Sequence, residues 1–539
     1  MWGLIQPLYD RIVKFINRDD IIMWKKNKKL LFILTIIVAS ILTPNLVFSL
    51  PRHQEELKNL KTSQQSFETY WGPNGLLLFQ DIEHTGTHTD IFQNENGNWF
   101  IGLGEYDIFL QKVNSDGIIQ WMEGGVPVCT AINEQVWPQI CSDGNGGVIM
   151  VWEDWREGNG DIYAQRVDSS GTILWDNNGI VINNASGIQG DPLLCPDGSD
   201  NFIIAWDDSI GIYVQKIDSD GNLLWGINGK LVCSSVAFGP EMISDGAGGV
   251  IMTWEDNRGE NYDIYAQRID SNGNFLWDLD GVAICTESDD QLGIHICSDG
   301  ASGAIISWAW NWSLPFGYYT QRVDSNGNTL WTPNGTKIAT LYVDYPWAFI
   351  GSEICSDGIG GAIITWSDNK TDDWDIFAQR IDADGNLQWG EEGIIICNAT
   401  NDQDYIRICS DGIGGALIMW TDMRTGTIYE SSKIYIQRIN AEGDLLYLEN
   451  GVRLCMTEGV IQLGLGIYED GSGGSVVIWA QNSTVTNYNI YAQYIKSVPS
   501  NGNGNGEAIS FGDYYSIFLI IGIISVLIVK KRKMKKIFQ

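Results

Sequence analysis

One repeated hairpin constrains this chain more than any other feature. DIYAQRVDSSGTILW (161–175) recurs as GIYVQKIDSDGNLLW, DIYAQRIDSNGNFLW and DIFAQRIDADGNLQW. Its glutamine appears eight times, as Gln111, Gln165, Gln215, Gln267, Gln321, Gln379, Gln437 and Gln493. In the first seven copies an aromatic follows ten residues later: Trp121, Trp175, Trp225, Trp277, Trp331, Trp389 and Tyr447. A second hairpin, ICSDGNGGVIMVW (140–152), recurs with nine residues from turn aspartate to tryptophan, as in Asp143–Trp152, Asp299–Trp308 and Asp470–Trp479. Apolar, β-branched runs around glycine-rich turns are strand and hairpin signals. The turn glycines Gly117, Gly171, Gly221, Gly273, Gly327, Gly385 and Gly443 fall where such hairpins need positive φ.

Each unit therefore reads as four strands. A and B are joined by SDGxGG, and C and D by DSxGN. Four strands in a period of about 50–58 residues make one blade of a β-propeller. The last unit runs out after its C strand, while Phe67–Trp71 resembles a D strand with no A, B or C before it. The N-terminal strand is therefore expected to complete the eighth blade, which removes exposed sheet edges. The fold expected is all-β: an eight-bladed propeller of four-stranded blades over residues 66–497, flanked by one N-terminal and one C-terminal hydrophobic helix.

Loop lengths then separate two faces. The A–B and C–D turns share one face and are constant in length; the B–C and D–A loops share the other and vary. Variable loops on a constant scaffold are where binding usually resides.

The C–D hairpin, ending in Trp after an Asp/Gly turn, resembles the tryptophan-docking motif of quinoprotein-type eight-bladed propellers. That resemblance covers about fifteen residues per blade; it implies the fold and imports no quinone. The whole layout is similar to archaeal or bacterial cell-surface proteins with propeller repeats and a C-terminal anchor.

Charge and the two hydrophobic segments lead to the expectation that the acidic body lies outside the cytoplasm. The chain's formal charge is −34, yet both ends are basic, so the body is more acidic still. Such a surface repels nucleic acid and anionic lipid. Within residues 1–50, the apolar run Leu30–Leu42 follows Lys25, Lys26, Lys28 and Lys29, which reads as a signal peptide or signal anchor (30–49). Met23 leaves the true start open. At the other end a Gly/Asn-rich linker (498–513) leads to an apolar segment (514–529) and a basic tail (530–539). Basic flanks mark the cytoplasmic side. The expectation is a membrane-anchored monomer with its propeller on the extracytoplasmic side.

The repeated glutamines and tryptophans are expected to be structural, because buried amides need partners. The ten cysteines fill two slots twelve residues apart: Cys129, Cys233, Cys285, Cys397 and Cys455, then Cys141, Cys195, Cys297, Cys355 and Cys409. The slots are filled together no more often than chance predicts, which favours buried free thiols over disulfides. No cofactor is expected. Calcium is the alternative, since DSDGN turns place acids beside glycine, but IDSDGN (217–222) supplies only two carboxylates. Among the four histidines, Glu83-His84 with His88 and Asp90 is a weak metal motif. Sequons at Asn184, Asn311, Asn334, Asn369, Asn398 and Asn482 suit surface glycosylation.

On the variable face WxDxR occurs three times, giving Asp154/Arg156, Asp256/Arg258 and Asp422/Arg424; Asp208 and Asp368 lack the arginine. Each pair either braces its B–C loop or recognises a ligand. Aromatics outside the core slots gather on the same face: Trp137, Trp155, Trp310, Trp312, Tyr345, Trp347 and Trp374. Aromatic faces beside carboxylates suit glycan or protein ligands. A surface binding or adhesion module is the leading reading. A carbohydrate-active enzyme using funnel carboxylates, and a structural envelope component, are the alternatives.

Overall fold

The computed structural model describes residues 67–497, except 83–87, 311–315, 342–350, 371–372, 429–430 and 484–486. These residues form eight antiparallel sheets. Blade two is representative, with strands Gln135–Ser142, Val148–Asp154, Asp161–Val167 and Ile180–Asn183 in that spatial order. The first strands of successive blades touch one another around a closed cycle, so strand A lines the central funnel and strand D lies outermost.

Closure occurs in blade eight. Phe67–Thr69 pairs antiparallel with the last strand, Tyr488–Ser497, in the register Phe67↔Ser497 and Thr69↔Ile495. Leu76–Ile82 then pairs with the same strand, with Leu76 opposite Ala492. The N-terminal segment thus supplies the outer strand that the last repeat lacks.

One assignment is corrected. The segment ending in the docking tryptophan is not strand D. It makes a single bridge, such as Val167↔Ile173, and the outer strand begins only after a further turn, at Ile180. That turn contains Gly179 at φ +88°, packed so closely on the Trp152 ring that a Cβ would collide with it. The tryptophan itself spans two blades. Trp175 Nε1 donates to Ser219 O at 3.3 Å, and Trp71 Nε1 donates to Ser115 O at 3.3 Å. In each case the ring rests on the glycine of the next blade's C–D turn, Gly221 or Gly117, where no Cβ would fit easily.

Seven of the eight repeated glutamines, all but Gln493, are staples. Gln165 Oε1 accepts from Arg166 N and Trp175 N at 2.9 and 3.0 Å, and its Nε2 donates to Asp176 O at 2.7 Å. Core tryptophans Trp152, Trp206, Trp254, Trp308, Trp366, Trp420 and Trp479 are wholly buried. All ten cysteines are free and buried. The turn aspartates bond to their own turns; Asp168 Oδ1, for example, accepts from Ser170 N and Thr172 N. Among the described residues no three acidic, histidine or cysteine side chains are placed to hold a metal ion. Glu83 and His84 lie outside the described residues, and the Asp90 carboxylate accepts from Ile91 N and Ile140 N. Both hydrophobic end segments also lie outside the described residues, among which no helix is long and apolar enough to cross a membrane.

Candidate functional site

The WxDxR motif builds the same brace three times. Strand B ends by burying Asp154, whose Oδ1 receives Arg156 Nε at 2.8 Å and whose Oδ2 receives an Arg156 terminal nitrogen at 2.5 Å. Trp152 Nε1 donates to that same Oδ2 at 2.8 Å, and the guanidinium lies 3.9 Å over the Tyr163 ring. Arg156 also reaches Asn178 O at 2.8 Å, tying the B–C loop to the turn ahead of strand D. Asp256/Arg258 and Asp422/Arg424 repeat this with Trp254/Tyr265 and Trp420/Tyr435. These carboxylates are buried and used internally, so no ligand need meet them. Their effect is to fix the residue between Asp and Arg, which is Trp155, Asn257 or Met423 in the three blades.

Only in blade two is that residue a tryptophan. Trp155 N donates to Glu134 O, and Asn133 Nδ2 donates to Trp155 O at 3.2 Å. The half-buried indole, with Tyr106, Asn133, Glu134 and Gly158, lines an open cleft of about 440 Å³ between blades one and two. Tyr106 is 45% exposed and lies in the B–C loop of blade one.

The funnel mouth lies beside this cleft. Six first strands carry a register irregularity near their start, and in five of them it holds a residue at positive φ: Trp137, Asp191, Gly239, Gly293 and Tyr405. Trp137 and Tyr405 are 45% and 50% exposed, at φ of 53° and 52°. Bulky side chains seldom adopt such backbone, and bulges re-aim side chains at sheet rims. Trp137 packs against the His88 ring with centroids 3.4 Å apart, and burial lowers His88 to about 4.

Below the bulges, the middle residue of WxD is acidic in three consecutive blades: Glu153, Asp207 and Glu255. Burial raises Glu153 to about 7, with Asp191 and Asp207 adding like charge; Trp155 and the Asp191 backbone oppose this through hydrogen bonds. Burial, then Asp191 and Asp208, raise Asp207 to about 6. Glu255 reaches about 7, again through burial, and accepts from Gly293 N at 2.6 Å. Glu153 and Asp207 meet over Gly190, where a Cβ would stand 3.1 Å from Glu153 Oε2 and 3.4 Å from Asp207 Oδ1.

Of the aromatics expected to gather here, Trp155 lies beside Glu153 and Trp137 packs on His88 of blade one. Trp374 is half-buried elsewhere, in blade six, with its backbone bonded to Asp402 and Gln403. The Trp310 side chain, Trp312, Tyr345 and Trp347 lie outside the described residues. Sequence reasoning missed Tyr106, Tyr405, Glu153, Asp191 and Asp207. The acid inside WxD, present in blades two, three and four, was an available signal.

Fold and site together define an eight-bladed β-propeller with an aromatic cleft and a bulge-lined mouth on its variable face. The sequence matches no protein-family model and no curated protein. Among solved structures it is similar to the polysaccharide lyase Uly1, at 8% identity over 70% of this chain and 93% of that one, with TM-score 0.42. It is similar to the WD40 domain of SCAP from fission yeast, at 10% identity over 84% and 97%, with TM-score 0.42. The NanB sialidase from Streptococcus pneumoniae aligns at 11% identity over 84% and 73%, with TM-score 0.31.

Proposed function

We propose that the chain is a membrane-anchored surface protein that binds glycan through the cleft between blades one and two. The observation that carries this reading is Trp155, clamped by Asp154–Arg156 and facing a cleft it shares with Tyr106, Asn133 and Glu134. Aromatic rings offer a flat apolar face to sugar C–H groups, while an amide and a carboxylate take hydroxyls. A cleft of this size suits a few sugar residues. The strongly acidic body favours neutral over anionic glycans.

Anchoring rests on the hydrophobic segments read from sequence. The pairing of Phe67 with Ser497 supports one consequence for orientation. Both tethers would leave blade eight side by side on the face of constant turns, leaving the variable face outward. The test is a glycan array probed with the full chain and with Trp155→Ala. Binding that depends on Trp155 supports the reading, and an array that stays blank removes it.

A second reading has its own observation, the pairing of Glu153 and Asp207 over Gly190 with both acids raised toward neutrality. A carboxyl protonated near pH 7 suits a general acid in glycoside cleavage. Release of reducing sugar by the full chain, lost in Glu153→Gln, would favour an enzyme.

A further inference from the structure

Blade three repeats the brace of blades two, four and seven with one part missing. Asp208 occupies the position of Asp154, and Tyr213, cross-strand from Trp206, occupies that of Tyr163. Asp208 Oδ1 accepts from Ile210 N at 2.6 Å, as Asp154 Oδ1 accepts from Arg156 N at 3.0 Å. Tyr213 stacks on Trp206 with centroids 5.9 Å apart, matching the 6.3 Å of Trp152 and Tyr163. Where arginine stands in the other blades there is Ile210, in a two-residue turn between Asp208 and Gly211, with its side chain 57% exposed.

Among the described residues no cation pairs with Asp208 or covers the Tyr213 ring. The Trp206 indole is fully buried and its Nε1 has no partner, a state it shares with Trp308, Trp366 and Trp479 in other blades that lack the arginine. The indoles of Trp152, Trp254 and Trp420 donate to the brace aspartate, each in a blade where an arginine holds that carboxylate. Asp191 and Asp207 add negative charge beside the position.

We propose that blade three receives an arginine side chain from a partner protein. The chain itself shows how the group sits: Nε on one carboxylate oxygen, a terminal nitrogen on the other, and the guanidinium plane on a tyrosine. In the three internal copies these contacts are 2.5–2.8 Å to oxygen and 3.7–3.9 Å to the ring. Lysine fits less closely. In blade six Lys370 Nζ stands 4.0 Å from Asp368 Oδ2 and 4.0 Å from the Phe377 centroid. A planar two-pronged donor matches a carboxylate better than a point charge does. Seated guanidinium would draw the Asp208 carboxylate toward Trp206, giving the buried indole its acceptor.

The test uses the full chain and three small probes, N-acetyl-argininamide, its lysine counterpart and its citrulline counterpart, followed by saturation-transfer NMR. Arginine is expected to bind most tightly, with lysine weaker and citrulline at least tenfold weaker. Asp208→Asn should lower arginine binding at least tenfold. Ile210→Arg, at an exposed position, should abolish it by offering an internal guanidinium. Citrulline binding as well as arginine, or undiminished binding in both variants, overturns the proposal. This position is separate from the Tyr106–Trp155 cleft, so either reading can fail alone.

Discussion

Arg156 closes on Asp154 through two charge-assisted hydrogen bonds of 2.8 and 2.5 Å, and the residue held between them is Trp155. The pair is buried on the carboxylate side and stacked on Tyr163, so its two side chains are fixed before any ligand arrives. A rigid aromatic anchor loses little entropy on binding, which is the benefit of preorganisation.

Removing Arg156 should therefore be costly in two ways. Arg156→Ala leaves Asp154 charged and buried without its cation, a loss of ~3–5 kcal/mol. Chemical denaturation reads the stability change, and glycan affinity should fall together with it. Trp155→Ala should remove affinity with little change in the denaturation midpoint.

The staple glutamines are not equivalent. Gln165→Ala strands the amides of Arg166 and Trp175 and the carbonyl of Asp176, at ~1–3 kcal/mol for each buried group left unsatisfied. Gln493, in the blade without a C–D hairpin, has both amide atoms buried and unpartnered. Gln493→Leu should cost nothing or stabilise. Thermal unfolding of the two variants side by side checks the contrast.

Ring closure depends on Trp71. It is buried against blade one and donates to Ser115 O, so Trp71→Ala should cost ~3–5 kcal/mol. Amide exchange should quicken in Tyr488–Ser497 and in Leu76–Ile82, which pair with each other, before it does in blade four.

Stability should fall as pH rises from about 4.5 to about 7. Glu153 and Glu255 have ordinary values of 4.5 and folded values of about 7, so in that window the folded chain holds protons that the unfolded chain has released. Proton linkage then makes unfolding easier with each step upward, by on the order of 1–3 kcal/mol per group over the window. Glu153→Gln should flatten this slope. Denaturant midpoints at pH 5 and pH 8 decide it.

The cysteines should be silent toward thiol reagents in the native state. Burial raises Cys129 to about 11 and Cys195 to about 12, leaving almost no thiolate near pH 7. All ten should react once the chain is unfolded in denaturant.

Blade number, closure by Phe67–Trp71 and the sharing of one face by the variable loops follow from spacing, because hairpins of constant length leave little freedom in how strands pair. Trp155 could be named for the same reason, since WxDxR repeats. The outer strand was placed too early because Ile173–Trp175 has strand composition, and only the packing of Gly179 on Trp152 decides that the chain turns again before pairing. The bulges that expose Trp137 and Tyr405 have no shared residue type, as Asp191 and two glycines occupy the same position. The convergence of Glu153, Asp191 and Asp207 joins residues from different strands and different blades. Their raised affinity for protons comes first from burial, to which the blade-three carboxylates Asp191 and Asp207 add like charge at Glu153 across the blade interface, and such distances arise only when the ring is closed.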